Sequence, residues 1–75
     1  MPMIFFADRL RQLRLEREMN EGQMAQLLNC TPRTYQDYEN GRLYPHAMNL
    51  CDIADYFNVS IDYLMGRTDR REVNR

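Results

Sequence analysis

The stretch from Thr31 to Arg42, TPRTYQDYENGR, leaves its part of the chain little conformational choice. Thr31 offers a side-chain oxygen to a backbone N–H that the first turn of a helix leaves unpaired. Pro32 follows at the first helical position, where its missing N–H costs nothing. Gly41 supplies the left-handed residue on which a helix stops. The stretch therefore predicts one short helix punctuated at both ends. At about 100° per residue, Tyr35 and Tyr38 share one side, and Arg33, Gln36, Asp37 and Asn40 share the other. The aromatic side needs a core. The opposite side is a row of donors and acceptors with no local partner. That is the form of a helix that reads base edges, and also the ordinary form of a solvated face.

A chain of 75 residues makes one domain near the lower limit for unaided folding, burying roughly 60% of its unfolded surface. Its 44% hydrophobic and 11% aromatic content is enough for a globular core. No apolar run approaches the ~20 residues of a membrane span. Met1-Pro2-Met3-Ile4-Phe5-Phe6 is too short for a signal-peptide core and no cleavage site follows it, so a cytoplasmic location is expected. Cys30 and Cys51 match no metal or redox spacing and are expected as reduced thiols in or near the core. The sequon matches Asn29-Cys30-Thr31 and Asn58-Val59-Ser60 read better as helix boundaries. His46 is the sole histidine, beside Pro45, and is expected at the surface. With no Cys–His pairing, phosphate loop or metal spacing, neither an enzyme nor a cofactor nor a metal site is expected.

The net charge of −1 counts against a nucleic-acid partner, but the charges are polarised. Residues 43–66 hold no Arg and carry Asp52, Asp55 and Asp62, whereas Arg9, Arg11, Arg14, Arg17, Arg33 and Arg42 lie in the first half. Every basic residue is Arg, whose planar fork suits guanine edges and phosphates.

Periodicity predicts a first helix from about Phe5 to Met19, with Phe6, Leu10 and Leu13 buried. Arg14 and Arg17 fall in the same apolar arc: Arg17 can snorkel outward, while Arg14 needs a buried or half-buried acid. Asn20 and Gln23 open a second helix with a capping box, Met24, Leu27 and Leu28 give its apolar face, and Asn29 ends it. The tight turn before Thr31 then makes helices two and three cross steeply. Helix four is expected from Ala47 to Phe57, burying Ala47, Leu50, Cys51, Ala54 and Phe57 with Ile53 alongside, and turning Asn49 and Asp52 outward. Met48 and Tyr56 also lie off that face, with room for a partner surface. Ser60 caps a fifth helix in which Ile61, Leu64 and Met65 pack inward, and Gly66 ends the domain at 1–66. Residues 67–75 read as a mobile basic tail.

Five short helices in this order, with Tyr38-Glu39-Asn40-Gly41-Arg42 followed by Tyr44-Pro45, resemble the Cro and phage-repressor (XRE-type) helix-turn-helix family. Arg9-Leu10-Arg11, Met24-Ala25 with Leu28, and the run 53–66 stay in register with it, so the likeness covers about residues 7–67. The resemblance implies an all-α, five-helix, lambda-repressor-like fold in which helix three enters the major groove of double-stranded DNA and helix two lies across the backbone. It places Pro32, Arg33 and Thr34 at base edges next to the cap Thr31, Gln36 and Asp37 at the next outward positions, and Asn40 and Arg42 on phosphates. Arg33 then suits guanine and Gln36 adenine, while Asp37 either accepts from cytosine or orients Arg33. The resemblance also pairs Arg14 with Glu39, a structural ion pair between helices one and three.

Two positions depart from the family pattern. Glu21 stands where a phosphate-binding Gln is common, which leaves that task to Gln23 or to backbone N–H groups, and Asn29 replaces a Gly. The expected function is a repressing transcriptional regulator acting as a homodimer, with no membrane or small-molecule partner. The alternative is a protein–protein interaction module on the same fold, antitoxin-like or a regulatory partner, which the overall acidity and Glu21 favour.

Overall fold

A computed structural model of the chain describes residues 3–72. Five helices follow one another: α1 Met3–Glu16, α2 Glu21–Leu27, α3 Pro32–Glu39, α4 Ala47–Phe57 and α5 Ile61–Leu64. Three of their starts use a short polar side chain. The Asn20 side chain accepts from Gln23 N at 2.7 Å while Gln23 Oε1 accepts from Asn20 N at 2.8 Å. Thr31 Oγ1 accepts from Thr34 N at 3.1 Å, and Ser60 Oγ from Tyr63 N at 2.9 Å.

All five helices end in the same way. A residue with positive φ stands at the C-cap of α4, Asn58, and just past the other helix ends, Glu18, Asn29, Gly41 and Gly66, with φ between 54° and 77°. In each case the next N–H reaches back five residues, from Met19 to Arg14, Cys30 to Ala25, Arg42 to Asp37, Val59 to Ala54 and Arg67 to Asp62. These bonds, 2.9–3.1 Å long, satisfy carbonyls that a helix end otherwise leaves unpaired. Two of the positions are Gly and two Asn, which tolerate the left-handed region, but Glu18 does not belong there by preference. That unforeseen turn is why α1 stops at Glu16 and does not run on to Met19. Gly66 serves a second purpose, because a Cβ there would meet Cβ and Cγ of Phe5 at 2.7 Å.

The core joins Phe6, Leu10 and Leu13 of α1 to Met24, Ala25 and Leu28, to Tyr35 and Tyr38, and to Ile53, Ala54, Phe57, Val59, Tyr63 and Leu64. Tyr35, Phe6, Leu10, Met24, Ile53 and Leu64 are completely enclosed, and the burial of each apolar side chain contributes about 1.5–3 kcal/mol. Several inward and outward assignments differ from expectation. In α4 the buried ridge is Asn49, Ile53 and Phe57 at i, i+4 and i+8, so Asn49 is buried while Ala47 and Cys51 are exposed. The buried arc is rotated by about one position toward Ile53. Leu27 of α2 is exposed and Ala25 takes its place against the core. In α5 it is Tyr63, not Ile61, that packs inward.

The reason for the Tyr63 exchange lies beyond α5, where residues 68–71 contact α1 and the start of α5. The Arg9 guanidinium lies 4.2 Å from the Tyr63 ring centroid, and Arg71 Nε donates to the Tyr63 hydroxyl at 3.2 Å. Arg9 also donates to the carbonyls of Tyr63 at 2.5 Å and Thr68 at 2.6 Å, and to Asp69 at 2.7 Å. Arg71 forks onto Glu16 at 2.7 and 2.9 Å, and its carbonyl accepts from Ser60 N at 3.0 Å. The segment is thus a strap across α1 and α5. Residues 73–75 lie outside the described residues.

Two outcomes are expected. Glu18→Gly removes a left-handed strain and raises stability by about 0.5–1 kcal/mol, read as a higher urea midpoint at unchanged slope. The Arg71 hydrogen bond holds the Glu16 carboxyl below its ordinary value of 4.5. A lowered carboxylate contributes stability that is complete above that value and lost as pH falls through the lowered one. The strap therefore stays docked near pH 4.5 and loosens only in stronger acid, whereas Glu16→Gln loosens it at neutral pH, read as faster exchange of the Ser60 amide.

Candidate nucleic-acid interface

Helix α3 is fixed from behind by a buried carboxylate. Glu39 is 4% exposed and belongs to the same helix as the fully buried Tyr35, four residues earlier. Arg14 of α1 reaches it with both arms of its fork, Nε to Oε2 at 2.6 Å and Nη2 to Oε1 at 3.1 Å. The Tyr35 hydroxyl donates to the same Oε2. Arg14 Nη1 donates to the Met19 carbonyl at 2.9 Å, so one side chain ties together α1, the turn into α2, and α3. The arrangement has electrostatic consequences for both neighbours. The hydrogen bond to Glu39 raises the Arg14 guanidinium further above its ordinary range. Burial, and then the hydrogen bond to Glu39, pushes the Tyr35 hydroxyl well above the ordinary phenol range.

A second guanidinium joins this site. Arg11 Nη2 donates to the Glu39 carbonyl at 2.9 Å, and Arg11 Nε lies 3.5 Å from Glu39 Oε1. The last four carbonyls of α3 are consequently all satisfied: Gln36 by Asn40 N, Asp37 by Arg42 N, Tyr38 by Gly41 N, and Glu39 by Arg11. Sequence reasoning missed this role of Arg11. The available signal was its spacing, three residues before Arg14 on the same flank of α1.

With Tyr35, Tyr38 and Glu39 turned inward, α3 exposes Pro32, Arg33, Gln36 and Asn40, with Thr34 and Asp37 half-buried beside them. Arg42 is exposed just past the helix end. Among the described residues, no hydrogen bond or ion pair engages the side chains of Arg33, Gln36, Asp37, Asn40 or Arg42. Arg33 and Asp37 form no ion pair, so the orienting contact suggested between them is not made here. Thr31 is committed to the cap: its Oγ1 accepts from Thr34 N and donates to Thr34 Oγ1 at 3.0 Å, which leaves the Thr34 hydroxyl hydrogen unspent.

The start of α2 is less open. Gln23 is exposed, but its carbonyl oxygen is engaged by Asn20 N, so only its amide –NH2 remains to donate. Glu21 is half-buried in the first turn, where a carboxylate suits the helix dipole. Burial raises the Cys30 thiol above its ordinary value, and neither cysteine is bonded to the other. Among the described residues there is no cluster of three or more His, Cys, Asp or Glu able to hold a metal ion, and no helix is long and apolar enough to cross a membrane.

Two helices locked in a tight turn, the second presenting an unpaired polar row, define a helix-turn-helix protein. The Helix-turn-helix family model matches residues 10–64, and the chain belongs to that family. It is 37% identical over 60 residues to the cryptic phage CTXphi transcriptional repressor RstR of Vibrio cholerae, covering 80% of this chain and 54% of that protein. It is 34% identical over 65 residues to the HTH-type transcriptional regulator AnsR of Bacillus subtilis, covering 87% of this chain and 56% of that one. A crystal structure of a transcriptional regulator from Listeria innocua is similar with a TM-score of 0.80 and 37% identity, over 93% of this chain and 64% of that chain. The chain spans about half the length of the curated relatives it matches.

Removing one partner of a buried ion pair leaves the other charge uncompensated. Glu39→Gln, which also weakens the acceptor for Tyr35, is expected to lower unfolding free energy by roughly 3 kcal/mol in urea titrations.

Proposed function

We propose that this chain is a sequence-specific, double-stranded DNA-binding transcriptional regulator, a repressor that reads the major groove with α3 and resides in the cytoplasm. The observation that carries the reading is the exposed row Arg33, Gln36 and Asn40 on a helix whose opposite face is locked to α1. Side chains held at helical spacing on a rigid element, with donors and acceptors unspent, are what base edges require. The naming of relatives as transcriptional regulators, one of them a phage repressor, supports the same reading.

Each residue then takes a definite part. Arg33 presents a fork that matches O6 and N7 of guanine, and Gln36 a side-chain amide that matches adenine. Asp37, with no partner among the described residues, accepts from a cytosine amino group. Pro32 touches a thymine methyl, and the free hydroxyl hydrogen of Thr34 donates nearby. Thr31 holds the first turn in place. Asn40 and Arg42 grip the phosphates beyond the helix end, and the Gln23 amide donates to the backbone at the other edge. One such helix reads too few base pairs to be selective, so the working unit is a homodimer on a two-fold symmetric site.

Selection of duplexes from a random pool by the purified chain tests this directly. The expected product is a palindrome with half-sites about one helical turn apart. Arg33→Ala is expected to relax one position per half-site and to cost about 1–3 kcal/mol against the preferred base there. If no sequence is enriched and retention does not respond to salt, the DNA reading falls. A protein partner for α2 and α3, the reading that the half-buried Glu21 favours, then becomes the object of search.

A further inference from the structure

One carboxylate at the α1–α3 junction faces two guanidinium groups. Arg14, with a side chain 13% exposed, is bidentate to Glu39 and suffices to neutralise it. Arg11, with a side chain 44% exposed, comes only to 3.5 Å from the same carboxylate, so its charge is surplus. Its one strong bond is to the carbonyl of the peptide joining Glu39 to Asn40. A guanidinium carries five N–H donors, and Arg11 directs only those on Nε and Nη2 at Glu39. The remaining donors have no partner among the described residues. Arg11 lines an open groove of about 360 Å³ together with Ala7, Asp8, Glu39, Asn40 and Gly41. Gly41 is among its lining residues, and a Cβ there would meet nothing within 4 Å.

From this arrangement, and resting on the DNA-binding reading above, we infer that Arg11 is a direct phosphate contact. It continues the phosphate track of Asn40 and Arg42 from the end of α3 onto α1. The bond to the Glu39 carbonyl holds the fork beside the groove that a backbone phosphate would enter, with donors left unspent. A charge-assisted bond from a preset guanidinium to a phosphate is of the strong kind. The competing account is purely structural: Arg11 caps an orphan carbonyl and does nothing else. Asp8 is a carboxylate in the same groove and opposes an anion there, which gives the inference a second handle.

The two accounts differ in salt dependence. Each phosphate neutralised adds about 0.9 to the slope of log affinity against log salt. Binding of the wild-type chain, Arg11→Gln and Arg11→Lys to a short mixed-sequence duplex would be measured by fluorescence anisotropy between about 50 and 200 mM salt. The expected result is a slope smaller by about 0.9 for Arg11→Gln, retained in Arg11→Lys. Asp8 is exposed on α1, so Asp8→Asn leaves the fold intact and tightens binding by about two- to fivefold. A wild-type slope that Arg11→Gln leaves unchanged, or an Asp8→Asn affinity that does not rise, overturns the Arg11 assignment alone. Absence of any salt-dependent binding by the wild-type chain overturns the DNA reading and the Arg11 assignment with it.

Discussion

A buried carboxylate is costly to desolvate and is tolerated only when its oxygens are matched by charge and hydrogen bonds. Glu39 meets that condition through partners on two helices: Tyr35 on its own, Arg14 and Arg11 on α1. Each partner is directional, so α3 can neither rotate about its axis nor slide along α1 without breaking at least one bond. Apolar packing of Tyr35 and Tyr38 alone would not impose this, because hydrophobic contact has no preferred angle. The rotation of α3 decides which residues it exposes. The buried ion pair is therefore the reason Arg33, Gln36 and Asn40 point outward together, and the Arg14 bond to the Met19 carbonyl sets the start of α2 in the same frame.

What was legible in the sequence is what acts within about five residues. Thr31, Pro32, Asn20, Ser60, Gly41 and Gly66 each act on backbone groups one helical turn away, and their positions mark helix ends found in the structure. The bounds of α4, Ala47–Phe57, were readable from its apolar face after Pro45, although His46 makes no side-chain cap. Glu18 is the local failure: it occupies the left-handed region against its own preference, so nothing near it signalled a stop. The other differences depend on distant partners. The Tyr63 ring turns inward against Arg9, 54 residues away, and Arg71 is held by Glu16 from 55 residues away. Arg11 meets Glu39 across 28 residues. Helical periodicity describes one element at a time and cannot see such contacts. It also misplaces a rotation by one position when both neighbouring arcs are apolar, as in α4. On the candidate interface, spacing alone separated the row on α3 from the aromatic side, whereas the roles given to those residues came from family likeness.

The formal charge of −1 is a poor guide to what this surface offers a polyanion. Arg9, Arg14 and Arg71 spend their donors inside the fold, on Tyr63 and Thr68 carbonyls, on Glu39 and on Glu16. Arg17 lies 5.3 Å from the ring centroids of both Tyr56 and Phe57. The exposed carboxylates of Asp52, Asp55 and Asp62 belong to α4 and α5, while Arg33 and Arg42 belong to α3 and its exit. Exposed charges more than about 8–10 Å apart are screened from one another at physiological salt. A phosphate therefore responds to the Arg side chains beside it far more than to the total. Polarised charge of this kind also favours one orientation of approach over the reverse.

Helix α2 shows how the departure at Glu21 is accommodated. The first turn of a helix presents unpaired N–H groups, and a phosphate is one way to satisfy them. Here the chain supplies its own acceptors: Asn20 takes Gln23 N, and the carboxylate of Glu21 faces the positive end of the dipole. A helix so satisfied has less to gain from a phosphate than one with a bare first turn. The load of the proposed docking consequently shifts to the far end of the helix pair. There Asn40, Arg42 and the surplus charge of Arg11 lie around a left-handed Gly41 with no Cβ to obstruct approach. The residue that anchors this end, Glu39, is the one that orients α3, so the proposed backbone grip and base reading both depend on a single buried carboxylate. A substitution there cannot weaken one without disturbing the other.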